Sequence, residues 1–162
     1  MNSVFHVHLQ NALINTYAYK ELVLDAALHD GSGKITSSLH DPNISYDLQG
    51  EGRFADKFPS VKIKLHLDTL NLLALHLIKD SLQMHLDLDG DFPSTNPDAL
   101  QGKMNISGIA VTRAGKSVHT DSVHIMAEHS DTAQLIQFRS EMADLDWEGK
   151  YKLTQVSDAF RQ

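Results

Sequence analysis

The sequence predicts an all-β fold: a mostly antiparallel sheet, or two facing sheets, of about ten strands, with one short helix at the C-terminus. Three observations predict it. Apolar and polar residues alternate with period two along most of the chain. Clusters of Asp, Asn, Gly and Pro interrupt that alternation at short intervals, as hairpin turns require. Helical spacing appears only in the tail, where Leu153, Val156 and Phe160 fall on one stripe.

The elements follow in order. Alternation begins at once, with Phe5, Val7 and Leu9 on one face and His6 and His8 on the other. Lys20 to His29 is a strand with Leu22, Leu24, Ala26 and Leu28 on one side, and the Asp30–Gly33 cluster turns it back. "KITSSLH" returns, Asp41–Asn43 turns again, and Tyr46, Leu48, Gly50, Gly52 and Phe54 then share one parity. Pro59 breaks the next segment. Val61, Ile63, Leu65 and Leu67 alternate with Lys62, Lys64, His66 and Asp68, the cleanest pattern in the chain. "LNLLALHLI", 70 to 78, fits neither period and reads as a crossover packed on the sheet.

Leu82, Met84, Leu86 and Leu88 form the next apolar parity, continued by Gly90 and Phe92, with Asp87, Asp89 and Asp91 between them. Pro93 and Pro97 forbid that ladder from continuing. Leu100, Gly102, Met104 and Ile106 are even-numbered, whereas Ile109 and Val111 are odd, so a bulge is expected near Gly108. "RAGK" is a turn. Two strand regions remain, "SVHTDSVHIMAEH" and "LIQFRSEMADLDWEGKYKL", the second long enough to bend or bulge.

Composition bounds the function. The 162 residues suit one β-rich domain spanning 1–162, and 41% apolar content is enough for a real core. A net charge of −7 without a basic stripe argues against nucleic acid as a partner and against adhesion to an anionic lipid surface. The lack of cysteine excludes disulfides, thiol nucleophiles and thiolate metal sites. No apolar run approaches the ~20 residues that span a bilayer, so no direct membrane insertion is expected. The first residues lack the basic start and apolar centre of a signal peptide. With alternation beginning at once, the chain reads as a piece of a longer protein.

The chemical constellations are weak. Ten histidines invite a metal reading, and His6 and His8 share a strand face, yet His6, His8, His66 and His85 simply fill wet-face positions. Asp87, Asp89 and Asp91 lack the glycine and glutamate spacing of a calcium loop and read as a solvated strand edge. G-x-S-x-G, G-x-G-x-x-G and the P-loop are missing. No catalytic residue, metal ligand or cofactor is assigned, and no enzyme is expected.

The informative feature is the apolar parity. It fits a sealed sandwich acting as a structural or adhesive spacer. It fits equally an open trough whose aliphatic lining suits acyl chains, which need no hydrogen bonds. In the trough reading, Leu65, Leu67, Met84, Leu86 and Leu88 line the groove.

Longer motifs point to a family. "SSLHDPNISYDLQGEGRF", "DFPSTNPDALQGKMNISG", "GKSVHTDSVHIMAE" and the closing "GKYKLTQVSDAF" run in an order that resembles the AsmA-like/TamB family, the translocation and assembly module proteins of Gram-negative envelopes. The resemblance covers nearly the whole chain. It implies a taco-shaped or grooved β structure with an apolar interior. It also implies a periplasmic location, in a longer protein anchored in the inner membrane. The implied role is passage of phospholipid acyl chains between membranes and outer-membrane biogenesis, with an outer-membrane barrel as partner of the full-length protein. The chain lacks the family's membrane anchor and its C-terminal partner-binding segment, and the family has no catalytic motif to transfer.

Overall fold

The computed structural model describes residues 2–150 and residue 152. The expected C-terminal helix falls on residues 153–160 and lies outside the described residues. Ten strands occupy most of what is described: β1 (Asn2–Ile14), β2 (Tyr17–His29), β3 (Ser32–Asp41), β4 (Ile44–Arg53), β5 (Ser60–Asn71), β6 (Leu82–Ser94), β7 (Gln101–Arg113), β8 (Lys116–His129), β9 (Gln134–Ser140) and β10 (Asp144–Gly149). They form one open sheet in sequence order, β1 to β10, and every pair is antiparallel. The sandwich expectation is therefore corrected: the alternating strands join one sheet, not two facing ones. A 3-10 turn at Pro97–Ala99 is the one helical element among the described residues, and no helix is long and apolar enough to cross a membrane.

Sequence order follows from the turns. Asn15–Thr16, Asp30–Gly31 and Ala114–Gly115 all have positive φ, the backbone that two-residue hairpins need. The β9–β10 turn leaves no such mark. The stretch expected as one long strand folds back at Ser140–Ala143, where the Ser140 hydroxyl accepts from the Met142 and Ala143 amides at 3.3 and 3.1 Å. A serine closing a turn through its side chain gives no Gly or Pro signal.

The expected bulge is present. His85 pairs with Ala110 but Asp87 pairs with Ser107, and Gly108 between them has φ +60. A second irregularity puts Leu67 opposite Leu86 and Leu70 opposite Met84. A third lies in β2 at Glu21, whose φ is +56. There the inward parity passes from Leu22 and Leu24 to Tyr17 and Tyr19, which are half-buried while Ala18 and Lys20 are exposed. β6 also continues through Pro93, with a register break between Asp91 and Ser94 that accommodates the missing amide.

The acidic ladder is corrected as well. β6 is an interior strand, not an edge. Asp87, Asp89 and Asp91 stand opposite His66, Lys64 and Lys62 of β5, at 2.6, 3.4 and 3.5 Å. The cations of β5 and the anions of β6 are cross-strand partners that fix register.

Candidate functional site

Antiparallel partners share a face, so the register defines the rows that cross the sheet. One row runs Phe5, Ala26, Ile35, Gly50, Ile63, Gly90, Met104, Ile125, Phe138, Leu145, through all ten strands without a polar side chain. The row beside it on the opposite face is His6, Asp25, Thr36, Gln49, Lys64, Asp89, Asn105, His124, Arg139, Asp144, without an apolar one. The sheet has a dry face and a wet face along its whole width. Among the described residues no second layer covers the dry face, and only Leu39, Leu67, Leu75 and Ala127 are buried apolar side chains.

The five residues that the alternation marks as groove-lining lie together on the dry face. Leu65 stands opposite Leu88, Leu67 opposite Leu86, and Met84 opposite Leu70 and Val111. Leu67 is buried and the other four are half-buried.

The two ends of the dry face differ. At one end the β5–β6 connection, residues 72–81, bends back as a strap. It is a loop between adjacent strands rather than the expected crossover. The Asn71 amide bonds the Asn43 carbonyl at 2.8 Å, and His76 Nδ1 lies 2.9 Å from Thr16 Oγ1 in the β1–β2 turn. Leu75, inside the strap, is fully enclosed. Tyrosines dominate this end. The Tyr17 hydroxyl donates to the buried Asp41 carboxylate and accepts from Asn43 Nδ2 at 3.0 Å. The Tyr46 hydroxyl is 3.0 Å from Ser37 Oγ. Burial and the Asp41 hydrogen bond push the Tyr17 hydroxyl above its ordinary range, so it keeps the proton it donates.

At the other end, glycines form the floor. A Cβ on Gly52 would meet the Ser60 carbonyl at 2.7 Å, so only glycine lets β4 and β5 approach this way. Phe54 lies over Gly33 and Gly52, and Phe92 over Gly90 and Gly102. An aromatic ring over a strand glycine restores the packing that the missing side chain forfeits. Here a recess of about 370 Å³ opens on the dry face, walled by β1 to β5. Phe5, Ala26, Ile35, Gly50, Phe54 and Ile63 are among its lining. None of the five expected groove residues lines it. A sequence signal for it exists: Gly50, Gly52 and Phe54 share one parity in a strand otherwise walled by Tyr46 and Leu48.

The wet face offers paired charges rather than a reaction centre. The hydrogen bond that the His66 imidazole donates to the Asp87 carboxylate holds its pKa above the usual range, and the His85 ring packs edge-on to it at 5.8 Å. Arg139 holds the Asp146 carboxyl below the carboxylate range, across 2.6 Å. His6 pairs with Asp25, and His40 lies 3.5 Å from Asp47. Among the described residues no three His, Asp or Glu side chains converge as a metal ion needs. Compared with known proteins, the chain matches no family model, no curated protein and no solved structure.

Proposed function

We propose that this chain is a lipid-holding segment of a TamB-like envelope protein, with its sheet curved taco-like around phospholipid acyl chains on the dry face. The single observation that supports this is the uncovered apolar row from Phe5 to Leu145. An acyl chain makes no hydrogen bonds, and each CH₂ it removes from water contributes ~0.8 kcal/mol, so aliphatic side chains and glycine suffice. The recess at the glycine end lies within the usual size of small-molecule sites. In this reading the protein works in the periplasm, in inter-membrane lipid transport and outer-membrane biogenesis, beside an outer-membrane barrel partner of the full-length protein. Leu65, Leu67, Met84, Leu86 and Leu88 supply non-polar contact, no residue is catalytic, and no cofactor is needed.

The test is mass spectrometry of what co-purifies under native conditions, with uptake of a fluorescent fatty acid as the second readout. Phospholipid at near-stoichiometric amounts is expected. Leu86→Asp and Gly50→Leu should each remove it while far-UV circular dichroism keeps its β signature. The first puts a charge on the dry face, and the second fills the floor opposite Ile35. A folded protein that carries no lipid and takes up none overturns the reading.

A further inference from the structure

Burial of the dry face is graded along the strands. On β3, Ile35 is 38% exposed, whereas Ser37, Leu39 and Asp41, of the same parity, are 8%, 3% and 4% exposed. On β5 the same step falls between half-buried Leu65 and buried Leu67. The strap accounts for the cover. It leaves β5 after Asn71 and meets the β1–β2 turn through His76 and Thr16, so it passes over the ends of β4, β3 and β2, with Leu75 enclosed in it. The recess of about 370 Å³ begins where this cover stops, and Leu48 is its innermost lining residue on β4. Phe5 of β1 stands on one side of it. On the other side a Cβ on Gly90 would meet Ile63 and Phe92 at 3.0 and 3.1 Å, so those two side chains close over the β6 floor. The recess is a slot walled on two sides, shut at the strap end and open at the glycine end.

We propose that this slot holds one acyl chain of a phospholipid, with the methyl end against Leu48 and the polar head at the glycine end, and that the strap limits the length of chain it accepts. The inference rests on the lipid reading of the same face and adds direction and length to it. Length follows from the strand. From Gly52 back to Leu48 is four residues along β4, ~13 Å at ~3.3 Å per residue. A chain of ~1.5 Å C–C bonds, drawn out as a zigzag, advances ~1.25 Å per carbon, so ~10 carbons fill the slot. Direction follows from charge. A phosphate at the shut end would lose its water beside the buried Asp41 carboxylate, a like charge. The Tyr17 and Tyr46 hydroxyls at that end are already engaged by Asp41 and Ser37. A methyl group asks for none of these partners. At the mouth Phe54 is 55% exposed, so the head stays in water.

Lysophosphatidylcholines of one saturated chain, competed against a fluorescent fatty acid, read the length. Affinity should rise about fourfold per CH₂ from hexanoyl to decanoyl, then by less than about twofold in all from lauroyl to palmitoyl. Leu48→Ala, with its circular dichroism unchanged, should move that break outward by about two carbons, because it hollows the shut end. In the unchanged protein, a nitroxide near the methyl end of stearate should broaden the Leu48 amide resonance, and one near the carboxylate the Phe54 amide. An unbroken rise to palmitoyl, a break that stays in place in folded Leu48→Ala, or the reverse order of broadening overturns the inference and leaves the lipid reading standing. Failure of every chain to bind overturns both.

Discussion

At the strap end of the dry face, Tyr17, Tyr19 and Tyr46 stand near a buried carboxylate and an enclosed leucine. At the glycine end, Phe5, Phe54 and Phe92 stand around bare backbone. Both ends are built on the same strands. The difference teaches how one sheet divides its tasks. Tyrosine brings a hydroxyl that must be satisfied, so it belongs where geometry is fixed and closed. Phenylalanine brings area and makes no polar demand, so it suits a wall that is left uncovered.

The sharpest break of this comparison is Leu75→Ala. Enclosed leucines cost about 2–5 kcal/mol when truncated, so urea midpoints should fall strongly. A loss under about 1 kcal/mol would mean that the strap end is not the stable one. Tyr17→Phe comes next. It strips Asp41 of its hydroxyl donor in a site only 4% exposed, with an expected cost of about 1–3 kcal/mol by the same measurement. Phe54→Ala should cost only about 1 kcal/mol or less, because the ring is already 55% exposed, yet it should lower fatty-acid uptake. If it destabilised as much as Leu75→Ala, the two ends would be alike.

The smallest effect belongs to the wet face. The His66 imidazole is raised by Asp87, so its contribution is fully present below the ordinary histidine value near ~6.5 and is lost as pH rises through the folded value. NMR titration should show His66 falling toward the ordinary value in Asp87→Asn. The thermal midpoint of the unchanged protein should lose a small increment between mildly acidic and mildly basic pH. The same increment in Asp87→Asn would show that the pair is not its source.

Strand positions and faces are legible in the sequence because period two is a local signal. The bulge at Gly108 is legible for the same reason: one extra residue beside a glycine shifts the parity of everything after it. The hidden features are non-local or carried by side chains. The destination of residues 72–81 depends on Thr16 and Asn43, far away in the chain. The turn at Ser140 is made by a hydroxyl. The recess escapes a search for large aliphatic residues, because the space is made by the smallest ones. Asp87, Asp89 and Asp91 resemble a bare acidic edge until the matching Lys62, Lys64 and His66 are set beside them, one strand earlier.

Among the described residues, every strand hydrogen-bonds only to those next to it in sequence. Each hairpin can therefore be laid down as it is synthesised, with little loop entropy to repay, on an edge left by the one before. Such a sheet grows as masonry does, course upon course. A hairpin inserted between two neighbours that keeps the alternation lengthens the wall without asking distant strands to move, and the dry face widens by the same step.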